Sequence, residues 1–346
     1  MNPMRFGLVG CGGIAGLHAR CFRQNLEPDG TAVLVAGAEV DVAQRQKFGE
    51  KWSLPMHDSL ESLLAREDID AVTITSPSGM HAEHAIQIVK AGKHALSEKP
   101  LDTNVERAAA AVVAAKEAGV VLGGIFQQRF NAGVQKVRRA VQAGAFGELV
   151  YVHCETPWYR AQSYYSSGAW RGTWDLDGGV LSNQGVHMVD RLLWLGGDWD
   201  EVLHAVCTPG KYREIEAETL AVATVRLKNG AIATLTGTTL AYDGLSQRVL
   251  ICGTEGSAAF DGESLVTFKT REPFEEEVLG GVDAGADNKA ADPLALSSNQ
   301  HEANIRDFIS AVREGREPLV KPSEGVRVVG LLNAIYAKAG VGPYGH

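Results

Sequence analysis

Residues 5 to 19 read RFGLVGCGGIAGLHA, and set Gly10, Gly12 and Ala15 in the pattern G-x-G-x-x-A between an apolar run and a helical one. Each position has a physical use. Glycine at 10 permits a tight turn, Gly12 lets the backbone approach a pyrophosphate, and Ala15 allows the helix to pack close to the strand. The helix start at Gly13 and Ile14 offers N–H groups and the positive end of the helix dipole. Taken alone, the pattern also describes a glycine-rich turn with no ligand. Glu39 shifts that balance because it closes the next predicted strand, where a carboxylate accepts both hydroxyls of an adenine ribose. A 2′-phosphate there meets like charge, since Val40 and Asp41 follow and Arg45 is the nearest cation. The expected cofactor is NAD in preference to NADP.

These residues require particular elements beneath them. Short apolar runs (RFGLVG, AVLVAGAE, AVTITSP, KHALSEK and VVLGGI) alternate with helical patterns as far as about residue 124, the mark of βαβ units feeding a parallel sheet. Several of the helical patterns close on glycine, as a C-cap does. Beyond that point the pattern changes. LAVATVRL and AIATLTGTTL alternate with period two and meet at Asn229-Gly230, a hairpin signal. RVLICG, SAAFDG and SLVTFKT add strands, and SEGVRVVGLLNAIYAKAG adds a last helix. The fold class expected is α/β: an N-terminal Rossmann doubly wound parallel sheet (1–124), then an α+β domain with a large, mostly antiparallel open sheet (125–346). Residues 279–298 lack periodicity and read as a long loop or arm.

The 346 residues exceed one ordinary core, which agrees with two domains. A net charge of -9 gives no footprint for nucleic acid or anionic lipid. Cys11, Cys21, Cys154, Cys207 and Cys252 are scattered, odd in number and without C-x-x-C spacing, so neither a disulfide framework nor a zinc knuckle is expected. No run reaches the length of about 18 apolar residues that a membrane span needs. A cytoplasmic protein is the reading, with no membrane or nucleic-acid partner.

SPSGMHAEHAIQIVKAGKHALSEKPL and, far downstream, WRGTWDLDGGVLSNQGVHMVDRLLWLGG resemble the Gfo/Idh/MocA family of NAD(P)-dependent oxidoreductases, over essentially the whole chain. The first stretch ends in the family's Glu-Lys-Pro signature, here Glu98-Lys99-Pro100. The second carries an acidic or amide residue four positions before a histidine, here Asn183 and His187. WRGTW, DGG and NQGVH look particularly like the branch containing nucleotide-sugar 3-dehydrogenases and glycoside oxidoreductases. The resemblance implies cofactor contacts from Ser76, Pro77, His81, Glu98 and Lys99, a homodimer or homotetramer, and no required metal.

Chemistry explains why such residues are needed. Oxidising a secondary alcohol requires a proton to leave the oxygen as hydride leaves the carbon. His187 is the candidate base, because imidazole titrates near neutrality. Lys99 stabilises alkoxide character and holds the substrate. Asn183, four before His187, is expected on the same helix face, orienting a substrate hydroxyl or the lysine. That amide departs from the aspartate common in inositol dehydrogenases. Arg129, Trp170 and Arg171 are further substrate candidates, since a guanidinium fork suits hydroxyl, carboxylate or phosphate and an aromatic face suits a pyranose. His301 either caps a helix or reaches substrate. His81 and His84 have H-x-x-H spacing, more in keeping with a helix face than a metal site.

Singly, Lys99 reads as a solvated strand-end lysine and His187 as a satisfied helix histidine. Jointly, in these contexts, they favour NAD-dependent oxidation of a secondary hydroxyl of a sugar, glycoside, sugar acid or cyclitol, with the active site at the carboxyl ends of the Rossmann strands. Three alternatives stay open: a UDP-sugar or UDP-sugar uronate 3-dehydrogenase, an NAD-using glycosidase on the same fold, and a non-catalytic cofactor-sensing regulator.

Overall fold

The computed structural model describes residues 2–274 and 298–344. The expected loop at 279–298 lies, apart from Ser298, outside them. The chain forms two compact units, Met1–Ile125 with His301–Arg327, and Phe126–Gln300 with Val328–His346.

The first unit alternates strand and helix: β1 (Met4–Val9), α1 (Gly13–Cys21), β2 (Ala32–Ala38), α2 (Val42–Trp52), β3 (Met56–His57), α3 (Leu60–Leu64), β4 (Ala71–Ile74), α4 (His81–Lys90), β5 (His94–Ser97), α5 (Val105–Ala118) and β6 (Leu122–Gly124). The six strands are parallel in the order β3-β2-β1-β4-β5-β6. This is the Rossmann order, with its topological switch between β1 and β4. β4 is buried throughout, as its unbroken apolar reading requires of a strand covered on both faces. β3, two residues long, is too short to show periodicity and was not among the expected strands. The chain leaves α1 through a π-helical turn, Phe22–Leu26, that sequence pattern does not announce.

Segment 301–327 is the clearest departure from the expected division, which gave everything after 124 to the second domain. Ile305, Phe308 and Ile309 belong to the core that contains Phe6, Phe22 and Leu34. The Phe308 ring meets Phe6 edge-on at 6.2 Å, and a Cβ on Gly123 would lie 2.6 Å from it. An apolar helix face joins whichever core has room for it, and this one fills a gap left by glycine in β6.

The second unit contains α6 (Ala132–Gln142), β7 (Leu149–Pro157), α7 (Gln162–Tyr165), α8 (Val186–Gly196), β8 (Trp199–Pro209), β9 (Glu218–Leu227), β10 (Ile232–Thr238), β11 (Arg248–Gly253), β12 (Gly256–Asp261) and β13 (Ser264–Thr270). Two helices, α9 (Ser298–Glu314) and α10 (Pro322–Ala339), contribute residues to both units. The seven strands run β13-β12-β11-β7-β10-β9-β8, antiparallel except where β7 meets β10. The expected hairpin is present: β9 and β10 pair across Asn229-Gly230, with Gly230 at φ 89° and Asn229 Oδ1 accepting from Ala231 N–H at 3.1 Å. Every residue of α8 is buried, and the helix lies against β7, β10 and β11. Its polar members His187, Asp190 and Arg191 are buried with the rest.

Candidate active site

The carboxyl ends of β1, β2 and β4 gather the expected cofactor residues. Gly10, just past β1, has φ 85°, and a Cβ there would sit 2.6 Å from Ser76 Cα and N. Both its dihedral and its neighbour exclude a side chain. Gly12 is the N-cap of α1, no side chain caps that helix, and a Cβ at 12 would meet nothing within 4 Å. Gly12 and Gly13 are exposed. The first N–H groups of α1 therefore face an open approach, a cradle that fits a pyrophosphate.

Glu39 lies beside that turn. Its Oε2 accepts the Cys11 N–H at 2.8 Å and its Oε1 accepts the Asp41 N–H at 3.0 Å. Arg45 turns to main-chain carbonyls instead, donating to Glu39 O at 2.7 Å and Val40 O at 3.3 Å. The group presented at the end of β2 is thus a carboxylate, which suits ribose hydroxyls better than a 2′-phosphate.

Ser76 and Pro77 follow β4 and are partly exposed, and Ser76 Oγ lies 2.9 Å from His84 Nδ1. His81 differs from expectation. Its ring is buried, with Nδ1 2.7 Å from Pro100 O and Nε2 2.8 Å from Ser76 O. Burial lowers its pKa against those bonds. As the first residue of α4 it turns inward and ties the Ser76 turn to Pro100, rather than facing a cofactor. Burial also brings His84 down to about 4.

Glu98 likewise faces inward, a second correction. It is buried, with Oε1 2.8 Å from His18 Nε2 and 3.7 Å from His301 Nε2. Thr73 Oγ1 fixes the far side of the His18 ring at 3.0 Å. Burial works to raise the carboxyl pKa, but hydrogen bonds from the two imidazoles outweigh it and hold Glu98 well below the usual range. Its Oε2 accepts the Lys99 N–H at 3.2 Å, so the anion braces the backbone of the next residue. Lys99 itself is partly exposed at the end of β5, and the Lys99–Pro100 bond is cis. His301, buried beside Glu98, belongs to this brace. His18 was not singled out from sequence; its sole signal was a polar residue on the apolar face of α1.

In the second unit His187 is buried in the first turn of α8, its Nε2 3.5 Å from the Gln127 amide and its ring edge-on to Phe126. Asn183 does not share its helix face. α8 begins at Val186, and Asn183 sits in the preceding turn, held by its N–H to Gly179 O at 3.0 Å. Gly178, at φ 72°, and the Gly185 N-cap bend the chain before the helix can start. The Asn183 amide donates to Asp177 Oδ1, while Asp177 Oδ2 accepts the Gly172 N–H at 2.7 Å. Asp177 is a residue the sequence reading missed, although the quoted DGG begins with it.

Arg171 lies between two rings, its guanidinium carbon 4.3 Å from the Tyr164 centroid and 4.4 Å from that of Trp170. It donates to Tyr164 Oη at 2.7 Å, and Gln184 reaches the same oxygen at 3.4 Å. Trp170 and Arg171 are thereby linked to the turn of Asn183. Arg129 is not. Its fork is buried and closed on Asp190, with Nη2 to Oδ1 at 2.5 Å and Nε to Oδ2 at 3.0 Å, between the Phe126 and Trp194 rings. A guanidinium so engaged is a structural cation, and the expectation of a substrate fork at 129 is withdrawn.

A Rossmann sheet with an open glycine turn and an acidic end to its second strand defines a dinucleotide-binding oxidoreductase. Residues 4–126 match the oxidoreductase family with NAD-binding Rossmann fold, and residues 134–259 match the GFO/IDH/MocA C-terminal domain. The WlbA dehydrogenase from Bordetella pertussis, solved in complex with NADH and UDP-GlcNAcA, is 33% identical with a TM-score of 0.85, over 98% of this chain and 97% of that one. Inositol 2-dehydrogenase of Rhizobium meliloti (strain 1021) is 25% identical over 346 residues, 96% of this chain and 95% of the relative. 1,5-Anhydro-D-fructose reductase of Ensifer adhaerens is 29% identical over 276 residues, 78% of this chain and 77% of the relative. The chain belongs to the Gfo/Idh/MocA family. It is an NAD-dependent oxidoreductase.

Proposed function

We propose that this enzyme oxidises a secondary hydroxyl of a sugar, sugar acid, glycoside or cyclitol, with Lys99 and His187 acting on the same carbinol. The observation that carries the reading is the rim of the Rossmann sheet, where the open start of α1, the Glu39 carboxylate and the braced Lys99 all follow carboxyl ends of strands. NAD, which the start of α1 and Glu39 would hold, would supply the hydride acceptor. The chain's own groups do the rest. His187 takes the hydroxyl proton, Lys99 stabilises the developing negative charge on oxygen, and Asn183, its amide aimed by Asp177, orients a substrate hydroxyl. The test is incubation of the protein with NAD and a panel of sugars, cyclitols, glycosides and nucleotide sugars, followed by NADH absorbance and NMR of the product. Steady NADH formation with a keto product supports the reading. Release of free sugar without net NADH would indicate the glycosidase chemistry instead, and no turnover with any polyol would indicate a sensor.

A narrower reading is a UDP-sugar or UDP-sugar uronate as substrate. It is favoured by the likeness to a dehydrogenase solved with UDP-GlcNAcA, and by Arg171 held between two rings, an arrangement suited to an acidic group on a pyranose. It predicts far tighter binding of the UDP-sugar than of the free sugar. Leu250, Val222 and Val206 are exposed on the sheet of the second unit, and this face is the proposed contact of a homodimer or homotetramer, checked by sedimentation. The five cysteines are thiols, which agrees with a cytoplasmic location. Among the described residues no helix is long and apolar enough to cross a membrane.

A further inference from the structure

Glu218, the first residue of β9, is fully buried, carries a carboxyl group, and has no place in the chemistry above. It lies directly under the turn that contains Asn183. The Glu218 carbonyl accepts the Val180 N–H at 2.9 Å, and its Oε1 accepts the Leu181 N–H at 3.0 Å. The Tyr336 hydroxyl donates to the same Oε1 at 3.0 Å. Among the described residues Oε2 has no hydrogen-bond partner; it is buried and presses on Gly179, where a Cβ would lie 1.7 Å away.

Two further bonds carry this anchorage onward. Gly179 O accepts the Asn183 N–H at 3.0 Å, and Val180 O accepts the Gly185 N–H at 2.6 Å. Gly185 is the N-cap of α8, whose second residue is His187. We infer that Glu218 is a positioning residue: it fixes residues 179–181, and through them the placement of Asn183 and the start of the helix bearing His187. This rests on the dehydrogenase reading only for the roles given to Asn183 and His187.

The protonation state follows from the surroundings. Burial pushes the Glu218 carboxyl up to about 7, and the charge of Asp177 adds to the effect. Tyr336, Tyr165 and Cys207 also face it, and burial raises all three, so they stay neutral near pH 7. Ionising Glu218 places a second negative charge near Asp177, the group that holds the Asn183 amide.

The experiment compares the full-length wild type with Glu218→Ala, Glu218→Gln and Tyr336→Phe, by amide hydrogen exchange over residues 177–187 and by steady-state kinetics with NAD and the member of the substrate panel that gives the fastest NADH formation. Glu218→Ala is expected to speed exchange in that segment, to cut kcat by ~10- to 100-fold and to leave the NAD Kd unchanged. Glu218→Gln, which keeps an acceptor oxygen and cannot ionise, is expected to restore protection and kcat, and to lack the fall in kcat above pH ~7 that ionisation of Glu218 is expected to cause in the wild type. Tyr336→Phe should give a milder version of the alanine effect. Unchanged exchange in Glu218→Ala, or equal damage from Ala and Gln, overturns the inference. The exchange measurement needs no substrate, so failure of the dehydrogenase reading is separately visible as absence of NADH formation.

Discussion

The Cys11 N–H donates to Glu39 Oε2 at 2.8 Å, joining the glycine turn after β1 to the end of β2 through one carboxylate. The same oxygens are those a ribose would engage, so Glu39 both shapes the turn and reads the nucleotide. Glu39→Ala is expected to weaken NAD binding by ~10- to 100-fold, as loss of hydrogen bonds to a charged group does. It should also narrow the preference for NAD over NADP. Calorimetric titration with both dinucleotides measures this, and an unchanged ratio would assign the discrimination to another residue.

Gly10→Ala tests the close approach of β1 and β4. At φ 85°, with Ser76 backbone 2.6 Å from the new Cβ, the variant must shift one strand end. A stability loss of about 2–4 kcal/mol is expected, with NAD affinity falling alongside. A variant with wild-type urea midpoint and NAD Kd contradicts the geometry.

Lys99→Ala and His187→Ala should each lower kcat by ~100- to 10,000-fold with NAD affinity nearly retained, because the main role proposed for both groups is on the alcohol. Stopped-flow hydride transfer with protonated and deuterated substrate gives the readout. Loss of NAD binding in place of turnover would reverse the assignment.

Asp190→Ala leaves the Arg129 guanidinium buried without its carboxylate. Removal of one partner from a buried pair costs about 3–5 kcal/mol, so a lowered Tm is expected without any direct effect on substrate specificity. An apolar replacement of both residues should recover much of the loss. If Asp190→Ala instead changes only the substrate KM, then Arg129 contacts substrate after all.

Stability should respond to pH through Glu218. Its carboxyl, raised by burial from 4.5 to about 7, binds its proton more tightly folded than unfolded. The sign follows: stability is full below the unfolded value and falls as pH rises from about 4.5 to about 7, by up to about 3 kcal/mol, with no further loss above. Glu218→Gln removes this contribution. Urea unfolding of the two proteins at intervals from pH 5 to pH 8 should show the gap between them changing over that window, and parallel curves would disprove the shift.

Much of the fold and part of the site could be read from local pattern. The glycine turn, the Glu39 strand end, the alternation of β9 and β10 and their Asn229-Gly230 turn depend on dihedral preferences and side-chain period, both written into consecutive residues. Partner choice is not written there. Arg129 closes on Asp190, 61 residues away, and His18 on Glu98, 80 residues away; nothing near either residue identifies the other. The same limit explains Asn183, placed by spacing on a helix face that the glycines around it do not allow.

Sequence by itself determined which residue types stand at the ends of which strands, and so the class of cofactor and the chemistry available. Tertiary structure alone decided which charges are taken inside the protein, as Arg129 and Glu98 are, and which stay partly exposed, as Lys99 is. The reason is desolvation: a charge taken into a core must find an opposite charge or donors there. Those partners come from elements that meet only when the whole unit has packed.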